Sequence, residues 1–122
     1  ELIYACEINL SLFEKMLDKK KIFKKINVFP KIKRDLNFLL NINQEIGLVS
    51  ELILKNGKGL IKDCIPVNIF KDSDLIRKNL KSVTYSITFQ HKSKTLKDKD
   101  VNLIIDEIIS TSETKFNAIL RT

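Results

Sequence analysis

The sequence predicts an α+β domain: a four-stranded antiparallel sheet with two helices on one face, in the chain order βαββαβ. Three observations carry this. Residues 35–42 and 82–90 alternate apolar and polar side chains with the period of a half-buried strand. Residues 44–55, and the stretch from Asp98 to Ser112, repeat apolar residues at helical spacing. Each helix carries a single apolar stripe, so both are expected to cover the same face of the sheet. At 122 residues and 43% hydrophobic content, the chain suits one core.

The elements follow in order. Residues 2–12 (LIYACEINLSL) read as a strand in which neither parity is clearly polar, and which has no evident partner nearby. It reads as the end of a preceding domain. Residues 13–27 read as a short helix and then a solvated linker, rich in lysine between 19 and 25. Phe29-Pro30 forces an extended or turned backbone, because the proline ring disfavours the α conformation before it. Lys31, Lys33 and Arg34 follow at once, as a solvated turn or as a nucleic-acid contact. Leu36, Phe38, Leu40 and Ile42 then alternate with Asp35, Asn37, Leu39 and Asn41.

Asn43 is the expected N-cap of the first domain helix, with Glu45 in its first turn. Ile46, Val49, Leu52 and Ile53 form its buried stripe, and Lys55-Asn56-Gly57 supplies a cation and a left-handed stop. In residues 60–70, Ile61, Ile65, Val67 and Ile69 share one parity, and Lys62, Cys64, Pro66, Asn68 and Phe70 the other. Pro66 has no N–H to donate, which suggests an edge strand. Residues 71–81 read as a polar loop. In 82–90, Val83, Tyr85, Ile87 and Phe89 face one way, and small hydroxylated residues face the other. Asp98 and Asp100 suit a helix start. Val101, Ile104, Ile105, Ile108 and Ser112 line one side of that helix, and Phe116, Ala118 and Leu120 open a last strand.

The helix-covered face is therefore expected to take Leu36, Phe38, Val67, Tyr85, Ile87, Phe89 and Leu120. The open face is expected to carry Asn37, Asn41, Asn68, Ser82, Thr84, Ser86 and Thr88, with Lys62, Phe70 and Arg121. A broad polar sheet with cations and a rim aromatic has the character of RNA-facing sheets, and also of a sheet that water simply wets. The formal charge of +7 and a pI near 9.4 suit a polyanionic partner. The excess of Lys over Arg, with much Ile and Asn, equally fits an AT-rich genome.

Other classes fit less well. No apolar run reaches the ~18 residues that span a bilayer, and Glu1-Leu2-Ile3-Tyr4 is no signal peptide. A cytoplasmic protein without membrane contact is expected. Cys6, Cys64 and the single histidine, His91, form no zinc set, and both cysteines read as free thiols. No nucleophile, acid and histidine are arranged by motif. Gly57 and Gly59 read as a helix stop and a turn rather than a phosphate cradle. No catalytic or metal site is expected in this stretch.

FPKIKRDL, a helix, VNIF, KSVTYSITF and KTLKDKDVN, in that order, resemble the C-terminal ferredoxin-fold anticodon-binding domain of bacterial phenylalanyl-tRNA synthetase β subunits. The likeness runs from about Phe29 to Arg121. It rests on FP-x-x-x-RDL, and on Lys81-Ser82 followed by T-L-x-D-x-x-V at 95–101. YACEINL resembles the last strand of the catalytic-like module that precedes this domain. The resemblance implies a ferredoxin-like sandwich over 28–122, with 1–27 as the end of that module and a linker.

It also implies a role: binding the anticodon region of tRNA(Phe), while the α subunit of an enzyme with two α and two β subunits performs aminoacylation. The fragment would be a non-catalytic part of that ligase. ATP and Mg2+ are then expected only at the α-subunit site, and no cofactor in this domain. Phe70 falls where the family's aromatic stacks on an anticodon base, though without the usual tyrosine hydroxyl. Asn68 stands where an acidic residue is usual, and Ser82 with Lys81 matches the Lys-Ser pair. Lys97 replaces a usual Thr, so the helix cap would pass to Asp98 or Thr95. Lys31, Lys33 and Arg34 are the candidate phosphate contacts. The alternatives are that Arg34 pairs with Asp35 or the sheet edge, and that Phe70 packs under the 71–81 loop. The alternative function is a ferredoxin-like small-molecule-sensing regulatory module, which predicts a stable dimer.

Overall fold

The computed structural model describes residues 2–14 and 26–121. The elements are α1 (Leu10–Glu14), β1 (Ile32–Asn41), α2 (Ile46–Asn56), β2 (Ile61–Phe70), α3 (Ser73–Arg77), β3 (Leu80–Phe89), α4 (Asp98–Phe116) and β4 (Ile119–Leu120). The strands form one antiparallel sheet in the order β2-β3-β1-β4. Both β1 and β2 run antiparallel to β3, so they are parallel to each other with β3 between them. This is the split βαβ arrangement of ferredoxin-like folds, with α3 added between β2 and β3. Among the described residues no helix is long and apolar enough to cross a membrane.

The core lies between the sheet and α2 with α4. Opposed residues in paired strands share a face, and Leu36 opposes Tyr85 while Phe38 opposes Val83. Val49 and Ile53 of α2, and Val101, Ile104 and Ile108 of α4, close over them. Each fully buried side chain of this size contributes roughly 1.5–3 kcal/mol, so this layer dominates the stability. The Phe38 and Tyr85 rings lie 6.3 Å apart at 60°, a tilted contact that aromatic quadrupoles favour. A buried hydroxyl needs a partner. That of Tyr85 donates to the Ile46 carbonyl at 3.2 Å, and burial pushes its pKa up.

Several elements depart from expectation. Residues 2–9 form no strand; they have no regular structure, and Leu10–Glu14 is helical. Ile3, Tyr4 and Ile8 are exposed. A strand is held by its neighbour's hydrogen bonds, and no described strand pairs with this segment. Most of the helix and linker expected over 13–27 lies outside the described residues.

The N-cap of α2 is Glu45, not Asn43, and its side chain makes no capping bond. The Asn43 N–H is bound instead by Asn41 Oδ1. Gly57 is not the left-handed stop: its φ is −68°, and the chain turns at Lys58 and Gly59, with φ of 50° and 75°. The 71–81 loop contains α3, capped by the Asp72 carboxylate, which accepts the Leu75 N–H at 2.7 Å. Neither Thr95 nor Asp98 caps α4. Lys97 is its N-cap, without a side-chain bond, and Asp98 and Asp100 sit in the first turn, where the helix dipole favours them. At the other end α4 absorbs Phe116, and Asn117 (φ 48°) turns left-handed and returns its N–H to the Ser112 carbonyl. The last strand is correspondingly short.

The largest departure is in β2. Its pairing with β3 shifts between Ile61 and Asp63, and again between Pro66 and Asn68. An extra residue in one strand reverses which face the following side chains take. Cys64, expected on the polar side, opposes Ile87 and is buried in the core. Burial raises its pKa to about 11, although the Ser50 hydroxyl beside it pulls the other way. Ile65 and Val67 share the open side with Ser86 and Thr88, and Val67, expected in the core, is 57% exposed. Pro66 does lie on an edge strand. Cys6 is exposed, and both cysteines are free.

Candidate nucleic-acid interface

The strand register sorts the open face into rows. One row holds Ile119, Leu39, Ser82 and Phe70. The next holds Asn37, Thr84 and Asn68, and the Arg121 N–H bonds the Asn37 carbonyl beside it. Asp35, Ser86 and Ile65 form the third row, and Lys33, Thr88 and Asp63 the fourth.

The first two rows bring three sequence candidates together. Phe70 ends β2 and is 46% exposed, so half its ring surface is open to a partner. Ser82 opposes it and is only 3% exposed. Its hydroxyl donates to Asn37 Oδ1 at 2.7 Å, which ties the two central strands side chain to side chain. Asn68 opposes Thr84, so its amide lies one row from Phe70 on the same face.

The cations divide. Lys33 opposes Thr88 on the open face. Arg34, its chain neighbour, opposes Ile87 and therefore points to the helix side. There its Nη2 donates to Asp98 Oδ1 at 2.6 Å, at the start of α4. The pairing foreseen for Arg34 is thus real, but its partner is neither Asp35 nor the sheet edge. Lys81 opposes Leu40, is nearly buried, and donates from Nζ to the Gln44 carbonyl at 2.6 Å. Burial lowers its pKa and the charge of Lys71 adds to this. Lys81 therefore clips the turn before α2 to the sheet, away from the open face.

Lys31 and Lys33 stay on the open side, but far from Phe70. Their row and that of Phe70 are about 20 Å apart along the strands, at ~3.4 Å per residue. They meet Lys62 there, at a shallow depression. Lys62 was not among the candidates drawn from the sequence. Alternation had placed Lys62 on the open face without giving it a role, and the polar pair Lys62-Asp63 interrupts that alternation where the first bulge falls.

A family model described as "Ferredoxin-fold anticodon binding domain" matches residues 27–121. Similar curated proteins include the phenylalanine–tRNA ligase beta subunit of Thermotoga maritima, 32% identical over 93% of this chain and 14% of that protein. The beta subunit of Prochlorococcus marinus is 34% identical over 99% of this chain and 15% of its own length. The chloroplastic beta subunit of Phaeodactylum tricornutum is 31% identical over 98% of this chain and 17% of its own. The chain thus spans about a sixth of the length of these relatives.

Proposed function

The chain belongs to the ferredoxin-fold anticodon-binding domain family, and we propose that it binds the anticodon region of tRNA(Phe) through the open face of its sheet, as part of a phenylalanine–tRNA ligase β subunit. In this reading residues 28–122 are the binding domain, and 1–27 are the end of the preceding module with its linker. The aminoacylation site, with its ATP and Mg2+, lies on the α subunit of a cytoplasmic enzyme of two α and two β subunits. The domain contributes grip rather than chemistry.

The observation that carries the reading is the half-exposed Phe70, on the same face and within one row of Ser82 and Asn68. An unpaired base has an apolar face and polar edges. A ring can stack on the face while an amide, donor and acceptor both, meets an edge. In place of the usual carboxylate, Asn68 offers both a donor and an acceptor, and Phe70 offers stacking without a hydroxyl.

The test is a titration of the assembled enzyme with tRNA(Phe) at several salt concentrations. Base stacking on an aromatic is worth about 1–3 kcal/mol per base. Phe70→Ala should therefore weaken binding by roughly that amount at every salt concentration and leave the salt slope unchanged. Unaltered affinity and aminoacylation in that variant would remove the stacking assignment. A stable dimer whose melting responds to free phenylalanine, and not to tRNA, would favour the sensing module instead.

A further inference from the structure

Lys31, Lys33 and Lys62 meet at the end of the sheet remote from Phe70, around a depression of about 300 Å³ that spans β1, β3 and β2. That volume is at the lower end of ligand sites. Its construction is specific. A bulge re-aims side chains, and the two irregularities of β2 leave Lys62 and Val67 among its lining residues. The lysines come from both sides of β3, which supplies Ser86 and Thr88 between them. Ile65 and Val67 add exposed apolar surface on the β2 side. Among the described residues, neither the Ser86 nor the Thr88 hydroxyl is recorded in a hydrogen bond, whereas that of Ser82 is spent on Asn37.

We propose that this depression is a second nucleotide subsite for the same RNA strand. Lys31, Lys33 and Lys62 each hold one phosphate, those of the bound nucleotide and its neighbours, Ser86 and Thr88 meet the ribose 2′-hydroxyl, and Ile65 with Val67 cover the sugar. Charge complementarity selects the occupant: three cations line the depression against Asp63, with Asp35 beside Ser86 in the adjoining row, so the balance is positive. The hydroxyl floor selects ribose, since the 2′-hydroxyl is what distinguishes RNA from DNA at a contact. The subsite rests on the RNA-binding reading above. It places a second anchored nucleotide about 20 Å from the base on Phe70, at ~3.4 Å per strand residue.

The experiment uses the assembled enzyme and transcribed tRNA(Phe), with melting temperatures confirming that each variant folds. Each phosphate contact on single-stranded RNA contributes about −0.7 to the slope of log K against log salt. Lys62→Ala should flatten the slope by about that amount, and Lys55→Ala, in α2 on the opposite side of the sheet, should not. A walk of single 2′-deoxy substitutions along the anticodon arm should find one position that weakens binding to the wild type. That position should cost nothing further in Ser86→Ala/Thr88→Val.

If Lys62→Ala keeps the full slope while Phe70→Ala still weakens binding, the subsite is overturned and the stacking interface stands. If Lys55→Ala flattens the slope as much as Lys62→Ala, the attraction is diffuse and the subsite is again overturned. If no 2′-deoxy position is coupled to the hydroxyl pair, the assignment of Ser86 and Thr88 fails. Absence of any tRNA binding by the wild type would overturn the functional reading itself, and the subsite with it.

Discussion

Lys33 opposes Thr88 on the open face, and Arg34 reaches Asp98 across the start of α4. One peptide unit separates them, and strand geometry sends them to opposite sides of the sheet. Their substitutions should therefore read out differently. The Arg34–Asp98 pair is substantially solvated, with side-chain exposures of 38% and 74%. Exposed pairs are worth ~0–1 kcal/mol. Arg34→Ala should lower the urea midpoint slightly and leave the salt slope of tRNA binding unchanged. Lys33→Ala should flatten that slope without moving the urea midpoint. A loss of slope in Arg34→Ala would return Arg34 to the list of phosphate contacts. The aromatics divide in the same manner. Tyr85 is wholly buried with its hydroxyl bonded, so it serves the core, while Phe70 is half open and serves a partner.

At the scale of the element, β2 decides what the open face can hold. Its irregular pairing turns Cys64 into the core and leaves Lys62, Ile65 and Val67 at the depression. How β2 begins depends on Gly57. A Cβ there would lie 2.6 Å from Ile61 Cδ1 and Cγ1, and 2.8 Å from Ile61 Cβ. The φ of −68° suits any residue, so the glycine serves close approach rather than backbone freedom. Where space is free, Gly→Ala at a compatible φ stabilises by about 0.4–1 kcal/mol. Here the new methyl meets a branched side chain near its root, and overpacking costs roughly 1–3 kcal/mol. Gly57→Ala should therefore lower the denaturant midpoint, and Ile61→Val in the same chain should recover part of the loss. A higher midpoint in the single variant would show that β2 shifts easily.

At the scale of the whole molecule, the core draws on none of the described residues before the domain. The described residues from Leu2 to Phe13 are exposed. The family match starts at residue 27, and so, among the described residues, do the hydrogen bonds that tie the start of the domain to the rest of it. Asn27 Nδ2 donates to the His91 carbonyl at 2.9 Å, its Oδ1 accepts the Phe29 N–H, and Gln90 Nε2 donates to the Phe29 carbonyl. A chain starting at Ile26 should melt at the temperature of the full chain. One starting at Lys31 loses those three bonds, each worth about 0.5–1.5 kcal/mol. It should melt several degrees lower, since 1 kcal/mol moves a domain of this size by about 4–8 °C. Calorimetry on the two truncations checks both. An equal loss in both would mean that residues before 26 brace the sheet.

The sequence by itself determined the order of elements in the domain, the faces of β1 and β3, and the stripes of α2 and α4. In each of these a single period runs unbroken, and the apolar residues that repeat with it have only one way to be buried. It also placed Phe70, Asn68 and Ser82 on the open side, and its motifs carried the family. Tertiary structure alone decided the rest. Whether β2 bulges is settled by its hydrogen-bond ladder with β3, far along the chain, and each bulge reverses the parity that alternation assumes. Arg34 and Lys81 lie on the helix side by the parity of their strands, but only the fold brings them the groups they bind, Asp98 and the Gln44 carbonyl. Lys31, Lys33 and Lys62 came together because β3 lies between β1 and β2. A local pattern specifies which way a side chain points within one element; which groups it meets depends on contacts between residues distant in the chain.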